Sequence, residues 1–320
     1  MLASPVQPTF AQSDADFLAA KAAFEKGDRV KLAGLAPGLR GHILEPYVEY
    51  WRLRLAIDDA TPEAVRSYLD RYPDTPLAEK LRVDWLKSLA KKSDWNRFAL
   101  DYPPASGEDV ELACYGIQYR RQRDGDAVLA DARPLWLNGQ ATPDSCEPLF
   151  AALISRGDLS VADRVARFRL ASEAGNVRLA HAIAKDLPAG DRIAERDFYP
   201  ANKDFQRALT AGAFAWNTGS GRELALYALE RVARADAASA RPAWVKWRDK
   251  LPDAERKYGN ARLAYHAARQ LNPSANDWFR EVGDFPLSPE MQAWRARAAL
   301  RALAWSDVLA AIDEIGRAHV

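Results

Sequence analysis

The sequence predicts an all-α protein, an irregular α-superhelix in which short helical hairpins stack as a solenoid. Three observations predict it. Helix start and stop signals follow one another almost without interruption, apolar residues recur at helical spacing between them, and strand signals are scarce. No six-residue alternation rich in Val, Ile and Thr occurs, and no Asn-Gly or Asp-Gly pair is flanked by such runs. Asp124-Gly125 and Asn138-Gly139 lie between helical stretches and read as helix–helix turns.

Taken in order, Ser13 and Asp16 open a stretch with Phe17, Ala20 and Phe24 on one face, closed by Gly27. Thr61 and Pro62 start another, carrying Val65, Tyr68, Leu69 and Tyr72 at i, i+3, i+4 and i+7, and Pro73 ends it. Thr75 is placed to cap the next helix, since its side-chain oxygen can accept from an unpaired backbone N–H. Pro76 follows at the first helical position, where no N–H is needed. Leu77, Leu81, Trp85 and Leu89 then form one apolar stripe, and Ser93 restarts the pattern ahead of Trp95 and Phe98. Ser160 and Asp163 form a capping-box-like start before Val161, Val165 and Phe168. Asn176 precedes Val177, Ala180, Ile183, Ala184 and Leu187, with Pro188 and Gly190 closing. Similar stripes run through Leu224–Val232, Ala261–Leu271 and Met291–Leu303. The polar turn at Ser106–Asp109 and the Ala-rich bend at Ala235–Ala240 read as links between helices, so no internal boundary stands out. A helix pair with large aromatics on one stripe cannot bury it alone and requires stacked neighbours.

Composition agrees. With 320 residues and 48% hydrophobic content, the chain can bury a core of two ordinary domains or one long helical array. Ten Trp are spread from Trp51 to Trp305, a distribution that fits repeated helix packing better than one ligand box. Forty-five basic against 44 acidic residues leave a net charge of +1, which excludes a dominant electrostatic drive toward nucleic acid or anionic lipid. Arg120, Arg121, Arg123, Lys91 and Lys92 read as solvated helix faces. The longest apolar runs fall short of the ~20 residues that span a bilayer, so a soluble chain is expected.

Chemistry-bearing motifs are few. His42, His181, His266 and His319 have no second His three or four residues away, so metal-ligand spacing is absent. No G-x-S-x-G elbow and no Gly-rich phosphate loop occurs. His181, between alanines on a helix, reads as a structural histidine. Asp and Glu are plentiful, and glycosidic cleavage needs only one or two well-placed carboxylates, so no single one is singled out. Cys114 and Cys146 fit either two buried thiols or one disulfide. Met1–Gln12, with Thr9 and Ala11 in small-residue positions, fits either the tail of a secretory signal or a frayed terminus.

Several stretches have specific wording: RYPDTPLAEKLRVDWLKSLAKKSDWNRF at Arg71–Phe98, ELACY at Glu111–Tyr115, SEAGNVRLA at Ser172–Ala180 and DFYPANKDFQRALTAG at Asp197–Gly212. They resemble the N-terminal superhelical region of the soluble lytic murein transglycosylases, from about Ser13 to Glu314. The resemblance implies periplasmic enzymes that cleave peptidoglycan glycan strands at the MurNAc–GlcNAc bond with a 1,6-anhydro product. It implies a glycan partner, and with no metal-ligand spacing and no excess positive charge, no metal, cofactor or nucleic acid is expected. It implies export, so that Met1–Gln12 is a signal remnant, and a bridge between Cys114 and Cys146, which sits in DSCEPLF.

In these relatives the acid/base is a Glu followed by Ser in a C-terminal lysozyme-like domain that also carries Gly-Leu-Met-Gln. This chain has no Glu-Ser dipeptide, and its two Met are Met1 and Met291. No catalytic residue is therefore expected in this chain, and no motif marks the residues that touch glycan. The region Trp305–Ile312, WSDVLAAI, continues into more superhelix in the family. Ile315–Val320, IGRAHV, matches an in-frame reading of a common sequencing-library adapter and is expected to be a non-native tail, the alternative being a natural divergent C-terminus. The expected division is a leader at 1–12, a truncated superhelical domain at 13–314 and the tail at 315–320. The alternative reading is a stand-alone α-solenoid that binds another protein on its concave face.

Overall fold

A computed structural model describes residues 10–102 and 109–317 of the chain. Helix accounts for 76% of the described residues, and no strand occurs among them. Packing groups the chain into two compact units, Met1–Ala132 with Thr142–Ala152, and Arg133–Ala141 with Leu153–Val320. The sequence carries no linker that announces this division.

The first unit holds α1 (Phe10–Glu25), α2 (Arg29–Leu35), α3 (Glu45–Leu55), α4 (Pro62–Arg71), α5 (Pro76–Lys91), α6 (Trp95–Asp101) and α7 (Val110–Asp124). Thr61 and Thr75 cap as expected, accepting from the amides of Ala64 and Ala78. Ala78, Leu81, Trp85, Leu86 and Leu89 of α5 are buried against α3, α4, α6 and α7, while Leu77 lies at the edge. Ser93 does not start α6. It takes a left-handed conformation (φ 57°), Asp94 N–H donates to Leu89 O across the end of α5, and the Asp94 carboxylate caps α6 at Arg97 N. Asp109 caps α7 at Leu112 N; the rest of the turn expected at Ser106–Asp109 lies outside the described residues.

Cys114 of α7 is joined to Cys146, just before α9 (Glu147–Ser155), with S–S 2.01 Å and Cα atoms 5.1 Å apart. That separation is within the range a bridge requires. A cross-link over 32 residues of sequence stabilises by about 4 kcal/mol in the chain-entropy model. Gln118 Nε2 donates to Ser145 O at 2.5 Å and Ser145 Oγ to Glu111 O at 3.2 Å, so the bridged segment is also tied to α7 by hydrogen bonds.

α8 (Ala132–Trp136) leads into the second unit, which holds α10 (Val161–Glu173), α11 (Val177–Asp186), α12 (Glu195–Lys203), α13 (Phe205–Ala211), α14 (Gly219–Ala235), α15 (Ala237–Trp247), α16 (Asp253–Arg269), α17 (Ala275–Arg280), α18 (Pro289–Arg301) and α19 (Trp305–Arg317). Most helices pack on the next and the next but one: α14 touches α12, α13, α15 and α16, and α16 touches α14, α15, α17 and α18, while α14 also reaches back to α10. That connectivity is the solenoid habit. Ala228, Ala233, Ala261, Ala264 and Ala267 are fully buried, so backbones approach closely. Gly259 marks one such approach, where an added Cβ would lie 2.3 Å from Trp244 Cη2.

The link expected at Ala235–Ala240 narrows to a single residue. α14 runs to Ala235, Asp236 alone breaks the helix and caps α15 at Ala238 N, and Ala237 and Ala240 sit in the core. Alanine combines the best helix propensity with a side chain small enough for a tight crossing. At the ends of the chain, α1 begins at Phe10, inside the expected leader, whose Met1–Thr9 lies outside the described residues. α19 runs past Glu314 to Arg317; Ala318–Val320, with His319, lies outside them.

Candidate functional site

Three helices of the second unit, α10, α14 and α16, build a cleft of about 630 Å3. Each is positioned by local sequence. The Ser160/Asp163 capping box starts α10, with Asp163 N donating to Ser160 Oγ and Ser160 N to Asp163 Oδ2. Thr218 caps α14 at Gly221 N, and Gly221 is required there because a Cβ would meet Ala215 O at 2.2 Å. Pro252 precedes α16. Val161, Val165 and Leu170 of α10 give the lining apolar groups. Arg222, Glu255 and Asp191 give it charged ones, and Tyr258 and Phe285 contribute rings 6.1 Å apart.

Ion pairs among the lining residues tie the three helices together. Arg169 of α10 forks onto Glu223 of α14, Nε to Oε2 at 2.8 Å, and its guanidinium lies 4.6 Å from the Tyr258 ring centre. Arg222 of α14 forks onto Glu255 of α16 at 2.7 and 3.2 Å. Tyr258 Oη donates to Glu173 Oε1 at 2.7 Å, and Arg262 Nη1 donates to Glu173 Oε2 at 3.1 Å. Deeper, Arg262 grips both oxygens of Glu230 at 2.8 Å, joined by His266 Nε2 at 2.9 Å and Arg234 Nη2 at 3.3 Å. An ionised carboxylate only accepts, so His266 Nε2 carries the proton in its contact.

The electrostatics follow from burial and partner number. Burial alone would raise the Glu230 carboxyl, but hydrogen bonds from His266 and Arg262 outweigh it and hold the pKa at about 2. Glu223 is pushed up by burial in spite of Arg169, with the neighbouring Glu255 carboxylate adding to the rise. Burial and the nearby Glu173 carboxylate push the Tyr258 phenol well up, so it stays a hydrogen-bond donor. Forked Arg–carboxylate pairs hold their geometry, and the cleft lining is therefore pre-organised. Such a surface suits a ligand with apolar faces and hydrogen-bonding edges. Both oxygens of Glu223 and both of Glu255 accept from arginines, which leaves neither carboxyl disposed to hand over a proton.

The residues singled out by sequence fall elsewhere. The Cys114–Cys146 bridge belongs to the first unit and the cleft to the second. His42 Nε2 lies 3.3 Å from Asp14 Oδ1. His181 stacks on Phe198 at 5.0 Å and meets Tyr199 edge-on at 5.4 Å. No group of three or more His, Cys, Asp or Glu is placed to hold a metal among the described residues. Sequence reasoning missed Glu230, Arg262 and His266. Of their spacings only Arg262 to His266, at i and i+4, is a local signal.

The fold and this cleft define an all-α array of short packed helices as the class of protein. Comparison with known proteins narrows the class. No protein-family model matches the chain. The soluble lytic murein transglycosylase of Salmonella typhimurium strain LT2 is 29% identical over 209 residues, 65% of this chain and 32% of that protein. Its counterpart from Escherichia coli K12 is 28% identical over the same shares. Among solved structures, an inactive mutant of the lytic transglycosylase Slt from Pseudomonas aeruginosa superposes with a TM-score of 0.67 at 26% identity, covering 92% of this chain and 48% of that one. The 70 kDa soluble lytic transglycosylase of Escherichia coli gives 0.58 at 22% identity over 92% and 48%, which speaks for the fold. The chain is homologous to the soluble lytic murein transglycosylases, and it spans about a third of the length of the curated relatives it matches.

Proposed function

We propose that this chain is the superhelical, glycan-holding part of a periplasmic lytic transglycosylase, from about residue 13 to 314, with a signal remnant before it and a non-native tail after it. The observation that carries the reading is homology to soluble lytic murein transglycosylases along an array whose fold matches theirs over 92% of this chain. The complete enzyme would cleave the MurNAc–GlcNAc bond without water, one Glu acting first as acid and then as base. That Glu would come from residues other than those of this chain. The helical part would hold the glycan in register with it, a contribution of proximity rather than of chemistry.

Within this part, the cleft between α10, α14 and α16 supplies the contact. Sugar rings present C–H faces to Val165, Tyr258 and Phe285, and hydroxyl and acetamido groups to Arg222, Glu255 and Asp191. No helix among the described residues is long and apolar enough to cross a membrane, which is compatible with work on a wall polymer. The test is co-sedimentation of the purified chain with peptide-free glycan strands. Wild type should bind saturably, and Phe285→Ala and Val165→Glu should each lower the affinity at least fivefold, about 1 kcal/mol, with unchanged helical content. No binding by wild type would remove the glycan-holding role; binding indifferent to both changes would move it away from this cleft.

A further inference from the structure

A second cavity of the same unit lies among α12, α13 and α14 and measures about 420 Å3. It is lined in part by DFYPANKDFQRALTAG, the stretch at Asp197–Gly212 to which the glycan reading gives no task. Ile193, Ala201 and Leu224 are buried within it and Phe214 half-buried, so its depth is apolar. Its exposed cationic groups are Arg192 and Arg196. Arg196 is 88% exposed, and its pair with Asp197 is long, at 3.9 Å. Arg192 spends Nε on Leu187 O at 3.3 Å and has no ion pair among the described residues.

We propose that this cavity binds a small amphipathic carboxylate, its apolar body against Phe214 and Leu224 and its carboxylate between Arg192 and Arg196. The volume falls in the range of ligand sites, as does the plan of an apolar lining with a few convergent polar groups. Small side chains at Ala201, Ala208 and Ala211 keep the space open. An apolar body entering it gains the contacts that an unfilled space withholds from its lining. Two guanidiniums against one lining carboxylate leave the mouth with a charge of +1, which favours an anion. A guanidinium's planar fork matches a carboxylate in particular. A bare inorganic anion would leave the apolar depth unused, and a cation would meet both arginines. The inference does not depend on the glycan reading.

Calorimetric titration of the 320-residue chain tests it with three probes: decanoate below its aggregation range, acetyl-Ala-Leu with a free C-terminus, and decyltrimethylammonium. At least one carboxylate should bind one-to-one and at least tenfold more tightly than the cation. The tighter of the two identifies the source as an acyl chain or a peptide terminus. The double change Arg192→Glu with Arg196→Glu should weaken that binding at least tenfold. Ala213→Trp, at an exposed lining position, should abolish it by filling the entrance. The proposal is overturned if neither carboxylate binds saturably, if the cation binds as well, or if both variants fold and bind as wild type does.

Discussion

Glu230 concentrates the second unit's polar chemistry in one side chain. It is 2% exposed and receives hydrogen bonds from Arg262, His266 and Arg234, while Glu173 takes up another nitrogen of Arg262. Its folded pKa of about 2 lies below the ordinary 4.5. A depressed carboxylate contributes stability that is present above pH 4.5 and lost as the pH falls through about 2, here up to about 3 kcal/mol. Glu230→Gln takes from the buried Arg262 the carboxylate it grips with two nitrogens and leaves it Glu173 alone, a loss of about 3–5 kcal/mol at pH 7. The gap between wild type and Glu230→Gln in urea unfolding should therefore narrow by about 3 kcal/mol between pH 5 and pH 2. Glu223, with its raised pKa, moves stability in the opposite direction, losing it as the pH rises, but it is common to both proteins and cancels in the difference. A gap constant across that range would show that Glu230 does not hold its charge in the fold. None of this was readable from residue order, because 32 and 36 residues separate Glu230 from Arg262 and His266. Only packing α14 on α16 brings them together.

At the scale of elements, what the chain states locally it states well. Thr61, Thr75, Asn176 and the Ser160/Asp163 box all cap where their residue types and spacing say they should. The misreadings arise where two local signals compete. Ser93 and Asp94 are both capping residues, and the six-to-one closure of α5 takes Ser93 into the left-handed region, leaving Asp94 to cap. Within Ala235–Ala240 the break between α14 and α15 is where the sequence places it but is confined to Asp236, because alanine carries no amphipathic signal that would mark where each helix ends.

Gly259 shows what periodicity cannot report. In an open helix, Gly→Ala gains roughly 0.8–1 kcal/mol, the gain expected for Gly34→Ala in α2, where nothing lies within 4 Å of the added carbon. At Gly259 the added carbon meets Trp244, whose Nε1 is held by Asn260 Oδ1 at 2.7 Å and whose ring is buried. The indole cannot swing aside without breaking that bond, so Gly259→Ala should destabilise by about 1–3 kcal/mol. Chemical denaturation of the two alanine variants decides between propensity and packing: a stabilised Gly259→Ala would mean that the α15–α16 crossing yields.

For the molecule as a whole, the all-α class was legible because every level of the sequence agreed on it, from caps to stripes to the lack of strand signals. The division into two units was not, since it depends on contacts rather than on any linker. Nor was the cleft, because its walls come from α10, α14 and α16, and neither an apolar stripe nor an Arg–Glu pair distinguishes a binding face from a solvated one in sequence.

Its geometry nonetheless bears on whether this chain can cut the polymer it is proposed to hold. Cleavage requires a carboxyl that is protonated, placed at the glycosidic oxygen and free to transfer its proton. Burial raises Glu223 as such an acid would need, but Arg169 occupies both of its oxygens; Arg222 does the same to Glu255. Glu173 is held by Tyr258 and Arg262. The purified chain should therefore release no 1,6-anhydro muropeptides from peptidoglycan while still binding its glycan strands. Supplying a catalytic domain that carries the Glu-Ser pair should produce release, and changing that Glu to Gln should abolish it. Muropeptide analysis makes the measurement. Anhydro products from the chain alone, above a heat-treated control, would place the chemistry among these clamped carboxylates, and Glu223→Gln would then be the first variant to lose it.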